Sequence, residues 1–192
     1  TVPDELVRTP VQAAWRARLE GGARRHRGGA PMGPGGFWFA ALLVERAALR
    51  GERFTTAFEG YGWEDMEMGW RLHRTGLSVR LADDVVVRHE DRPTLGGLLR
   101  KHEAMGRAAW TFVRLHPQRR VALWTGTARA VRWGKRLAGV ERRGAAAAAR
   151  LGRYADRDGL TAAVGRDLTW ALEGAYARGV RDAAPAAAGG TR

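Results

Sequence analysis

The sequence predicts an α/β fold over residues 1–117, a basic helical region over 118–184 and a disordered tail at 185–192. Three observations lead there. Short apolar runs at 35–43, 77–81 and 85–88 have the length and flanking Gly or Asp of strands. Segments with helical apolar spacing alternate with them. From residue 118 the composition turns to Ala and Arg, with helical patches at 119–138, 144–154 and 160–182 anchored by Trp124, Trp133, Trp170 and Tyr176.

Taken in order, Pro10 suits a helix N-terminus, with Val11, Ala14, Trp15, Arg18 and Leu19 following at helical spacing until Gly21 and Gly22 stop the helix. Arg24, Arg25, His26, Arg27, Gly28 and Gly29 form a basic loop. Residues 35–43, with aromatics at 37, 38 and 39, read as a buried strand, and 44–49 as a short helical turn. Over 64–75 the periodicity is ambiguous, because apolar residues stand at 66, 68, 70 and 72. The end charges decide for a helix: Glu64, Asp65 and Glu67 suit its first turn, and Arg71, His73 and Arg74 its last, with Gly76 as C-cap. Strands at 77–81 and 85–88 flank an Asp83-Asp84 turn. Thr94 is the N-cap of a long helix that ends at Pro117.

The composition sets limits. The chain of 192 residues suffices for one domain with a core. It carries a net charge of +13, and of its 33 basic residues only Lys101 and Lys135 are lysines. It lacks Ile and Asn, so part of the Ala, Gly and Arg excess is read as GC-rich coding bias. It also lacks Cys, which excludes disulfides, thiolate zinc sites and Cys nucleophiles. The longest apolar run, 35–44, is about half of what spans a bilayer. The first residues lack the basic and apolar regions of a signal peptide. No Ser/His/Asp set, zinc spacing or phosphate loop is visible.

The chemistry-bearing segment is Gly60-Tyr61-Gly62-Trp63-Glu64-Asp65, continuing to Leu72. Two adjacent carboxylates follow a glycine-rich aromatic loop at a helix start. The helix N-terminus steadies their charge. An aromatic ring beside them offers a flat face to a sugar, and a carboxylate within hydrogen-bond reach can take a proton from a hydroxyl. The alternative is that Glu64, Asp65 and Glu67 only complement the helix dipole and that Trp63 and Trp70 are core.

Gly62-Trp63-Glu64-Asp65, with Glu67 and Arg71-Leu72, resembles the acceptor-side motif of glycosyltransferase family 2, whose members have the GT-A, Rossmann-like fold. The order of the Gly-Gly-aromatic run before it, Val87-Arg88-His89 after it, and the helix from Thr94-Leu95 to His116-Pro117 also matches. The resemblance covers about residues 5–117. It implies the C-terminal part of a GT-A domain followed by the Ala/Arg-rich helices. It implies an inverting transfer from a nucleotide-diphospho-sugar to a glycan or lipid-linked hydroxyl, in cell-envelope polysaccharide synthesis. Asp65 would be the catalytic base, with Glu64, Trp63 and Tyr61 binding the acceptor. His89 would ligate a divalent metal, Mn²⁺ or Mg²⁺, and Arg88 and Arg92 would reach the donor phosphates. The family's upstream Asp-x-Asp motif is missing from the 63 residues before Glu64. Asp156-Arg157-Asp158 is read as a turn. The chain is therefore expected to be part of a longer enzyme and inactive alone, rather than a degenerate homologue.

Two other classes compete. The charge suits nucleic acid, but the arginines are scattered and no recognition motif appears, so no specific nucleic-acid partner is expected. Residues 119–182, basic with interspersed Trp and Leu, suit an anionic membrane surface. A cytoplasmic chain peripheral to the inner membrane face would combine this with the transferase reading.

Overall fold

The computed structural model describes residues 3–24, 29, 31–37, 41–82, 84–153 and 162–185, apart from the Ala23 side chain. Among them the fold is all-α and contains no sheet, so the expected α/β, Rossmann-like architecture is corrected. The helices are α1 (Pro10–Arg24), α2 (Glu64–Arg74), α3 (Leu95–Leu115), α4 (Arg119–Trp124), α5 (Arg129–Leu137), α6 (Val140–Gly152) and α7 (Ala162–Asp182).

The strand expectations fail for a common reason: an apolar or β-branched run becomes a strand only when a neighbour completes its ladder. Pro34–Gly36 is a 3-10 turn, Phe37 is buried and Leu43 is 98% exposed, while 38–40 lie outside the described residues. Of 77–81, only Val79 pairs, its carbonyl accepting from Met32 N–H at 2.8 Å in an isolated bridge. Val85, Val86 and Val87 are exposed on a segment without regular secondary structure. Asp83 of the expected turn, residues 25–28 of the basic loop, Asp156 and Asp158, and residues 186–192 of the tail lie outside the described residues.

The helix ends follow local chemistry. Thr9 and Gln12 cap α1 reciprocally: Thr9 Oγ1 accepts from Gln12 N–H at 3.3 Å, and Gln12 Oε1 from Thr9 N–H at 3.2 Å. α1 runs through Gly21 and Gly22, which were expected to stop it. α2 closes as expected at Gly76, where Gly76 N–H donates to His73 O at 3.0 Å and Leu77 N–H to Leu72 O at 3.2 Å. Thr94 Oγ1 caps α3, accepting from Gly97 N–H at 3.1 Å.

Helix α7 is the shared packing surface. α3 crosses it where Gly106 faces the Tyr176 carbonyl and Gly179 faces the Glu103 carbonyl. α6 crosses it at Gly144 and Gly174, where a methyl on Gly144 would lie 2.7 Å from Gly174 Cα. These crossings need glycine for space, so at least these glycines are structural rather than coding bias. One core layer joins Val11 and Ala14 of α1, Leu98 of α3, Ala147 and Leu151 of α6, and Leu168, Ala171 and Leu172 of α7. A second joins Trp63 and Trp70 to Phe112, Val121 and Val180. A third packs Phe37 against Met68 and Leu72. α2 is thus held from two sides. No described helix is long and apolar enough to cross a membrane.

Candidate functional site

The loop entering α2 is conformationally demanding. Gly60 and Gly62 have φ of +98° and +107°, and Trp63 is left-handed at +74°. Gly62 is doubly constrained, since a Cβ there would overlap the Met105 side chain. Trp63 occupies the N-cap position without a side-chain cap. Its left-handed backbone is strained for a non-glycine residue and is held by tertiary contacts. The indole Nε1 donates to Met105 O at 3.0 Å, and the ring lies 5.7 Å from Phe112 and 5.5 Å from Trp124. Only 9% of Trp63 is exposed, so its faces belong to the core rather than to a sugar, contrary to its assigned acceptor-lining role. Tyr61, by contrast, is 49% exposed.

Glu64 and Asp65 open the helix, both half-buried. Asp65 Oδ1 accepts from Met66 N–H at 2.7 Å. Glu64 Oε2 is sequestered and has no hydrogen-bond partner among the described residues. Glu67 is the interior carboxylate of the three, at 2% exposure. It accepts from Arg71 Nε at 2.9 Å and Nη2 at 3.2 Å, and stands 2.7 Å from His116 Nε2. Arg71 continues to Arg53 O at 2.6 Å and to Glu52. Burial works against the Arg71 charge, but the Glu67 hydrogen bonds and the Glu67 and Glu52 charges outweigh it and raise its pKa. The sequence places Glu67 in the motif and in the first turn of the helix, without a partner or a direction. Its inward direction follows from the helical face it shares with Arg71 at i+4.

The 88–92 segment carries the other predicted residues. Arg88 is exposed and pairs with Glu5 at 2.8 Å and Glu90 at 3.6 Å. The hydrogen bond it donates to Glu5 raises its pKa first, with the Glu5 charge adding to it. His89 is exposed. Arg92 is exposed and lines a shallow depression with Asp91, Pro93, Thr94, Gly97, Leu98 and Lys101. Lys101, which the sequence reading left without a role, connects the two halves. Its Nζ lies 5.5 Å from the Tyr61 ring centre and 3.4 Å from Asp91 Oδ2. Tyr61 and the Arg92 depression are therefore brought together on either side of one ammonium.

A metal fits less well. Among the described residues, no group of three or more His, Asp or Glu side chains is placed to hold an ion. His89 converges with no such set, and no step below is routed through Mn²⁺ or Mg²⁺.

The arrangement offers a positioned carboxylate pair, an exposed aromatic ring and a cationic strip beside it. No family model, curated protein or solved structure matches the chain.

Proposed function

We propose that this chain forms the acceptor side of a glycosyl-transfer site. Asp65 is the base, Glu64 and Tyr61 hold the acceptor sugar, and Arg92 with Lys101 faces the diphosphate of a nucleotide-diphospho-sugar. The carrying observation is the start of α2. There Glu64 and Asp65, both half-buried, open the helix directly after the loop that exposes Tyr61, and Glu64 Oε2 has no hydrogen-bond partner among the described residues. A buried polar atom left unpaired costs free energy, which a ligand hydroxyl would offset. The reading rests on the site and takes nothing from fold class.

In the proposed reaction the acceptor hydroxyl is oriented by Glu64 and by stacking on Tyr61. Asp65 takes its proton as the oxygen attacks the anomeric carbon. The bond from that carbon to the diphosphate breaks with inversion. The charge growing on the leaving diphosphate is met on this chain by the Arg92 guanidinium and the Lys101 ammonium.

The test is amide chemical-shift mapping of the chain with a panel of mono- and oligosaccharides at millimolar concentration. At least one saccharide is expected to move the amides of residues 60–67, with the shifts lost in Tyr61→Ala. A panel that moves none of them overturns the proposal.

A further inference from the structure

Helix α5 is built inside out. Two of its cations point into the protein. Arg132 lies over the Trp110 ring of α3, 5.3 Å from its centre. Lys135 pairs with Glu173 of α7 at 2.9 Å and covers the Tyr176 ring at 5.4 Å. The large apolar residues point the other way: Trp133 is 66% exposed and Leu137 69%. They stand one turn apart on one face. Gly134 lies on the same side, and a Cβ there would meet nothing within 4 Å. Arg129 and Arg136 are exposed and flank the pair. A water-facing surface helix normally places its cations outward and its Trp and Leu inward. α5 instead places Trp133 and Leu137 outward and two of its four cations inward, and none of its residues is buried.

The charge around this face selects its partner. Residues 118–153 hold ten Arg and Lys against one acidic residue, Glu141. The partner is anionic and also takes up apolar side chains. A bilayer with anionic headgroups meets both demands, since Trp settles at the headgroup level, Leu enters the acyl boundary and Arg pairs with lipid phosphates. A single-stranded nucleic acid offers a base to stack on Trp133 but nothing that takes up Leu137. We infer that the Trp133–Leu137 face of α5, flanked by Arg129 and Arg136, docks the protein on an anionic phospholipid surface. The inference is independent of the role given to Asp65.

The experiment is co-sedimentation of the full chain with phosphatidylcholine vesicles, with and without phosphatidylglycerol, at two salt concentrations. Binding is expected only with phosphatidylglycerol and weaker at high salt. The double variant Trp133→Ser, Leu137→Ser should lower partitioning about tenfold or more, with an unchanged thermal melt because neither side chain packs inside. Arg129→Glu with Arg136→Glu should lower it similarly. Failure of the wild type to bind, or equal binding by the Ser variant, overturns the inference. So does loss in that variant of self-association, or of oligonucleotide binding, in place of vesicle binding. Those two results assign the face to a second copy of the chain or to nucleic acid.

Discussion

Lys101 Nζ stands 5.5 Å from the centre of the Tyr61 ring and 3.4 Å from Asp91 Oδ2. One side chain of α3 thereby joins the entry to α2 with the 88–92 segment. Lys101→Gln should leave stability within about 0.5 kcal/mol, since the ion pair is exposed. In the complete enzyme it should weaken binding of a nucleotide-diphospho-sugar in the presence of acceptor. Calorimetry on both proteins checks this, and equal affinities would detach Lys101 from the site.

The helix crossings give a paired stability prediction. Gly179→Ala places a methyl against the Glu103 carbonyl. The overlap should cost about 1–3 kcal/mol or more, exceeding the gain of about 1 kcal/mol in helix propensity. Gly134→Ala, in open space within α5, should instead stabilise by roughly 0.5–1 kcal/mol. Urea midpoints with unchanged slopes separate the two.

These crossings also show where the sequence was legible. Helices α2, α3 and α7 were placed from end charges, a Thr cap and apolar spacing, because those signals are local. The alternation at 66, 68, 70 and 72 would have suggested a strand, and the capping pattern rightly overrode it. The runs at 35–43, 77–81 and 85–88 carried the strand signal alone, and whether a ladder forms depends on neighbours far along the chain. The packing roles of Gly106 and Gly179 were not legible, since close approach of two helices leaves no local trace. At the site, Tyr61, Glu64 and Asp65 were legible as a motif. The inward turn of Trp63 and the bridging position of Lys101 depend on α3, which no local pattern aligns with α2.

Glu67 should matter for stability. At 2% exposure it serves Arg71 and faces His116. Glu67→Ala leaves the Arg71 guanidinium with a single carboxylate, Glu52, and should cost about 3–5 kcal/mol. Glu67→Gln, which keeps some hydrogen bonds, should cost about 1.5–3 kcal/mol. Chemical denaturation measures both, and a loss below about 0.5 kcal/mol for the Ala variant would make the network energetically idle.

His102 gives the protein an acid-side weakness. Burial lowers its pKa below the ordinary 6.5, and the nearby Arg18 of α1 and Lys101 of α3 add to this. The hydrogen bond to Leu98 O at 2.9 Å and the Glu173 charge from α7 oppose it, and Trp15 of α1 closes the pocket edge-on. Between the folded and unfolded values the unfolded chain holds a proton that the native state lacks. Stability should therefore fall as pH drops through 6.5, and level off once the folded value is passed. A second loss at lower pH is expected from Asp167, whose pKa the Arg150 hydrogen bonds depress below 3.8. His102→Gln should remove the first slope and leave the second. Melting temperatures between pH 8 and pH 3 would show this, and an unchanged slope near 6.5 would dissociate it from His102.

The central claim, that Asp65 is a base and not only a dipole residue, is tested most directly by Asp65→Asn. The substitution keeps the shape and removes the proton acceptor. In the complete enzyme, sugar transfer to the saccharide that binds residues 60–67 is measured together with Tm. The account predicts a fall in kcat of about 10²–10⁴, with the acceptor KM nearly unchanged, because the lost interaction belongs to the transition state. Near-normal kcat, accompanied by a stability loss of roughly 0.3–1 kcal/mol from the helix dipole alone, would contradict it.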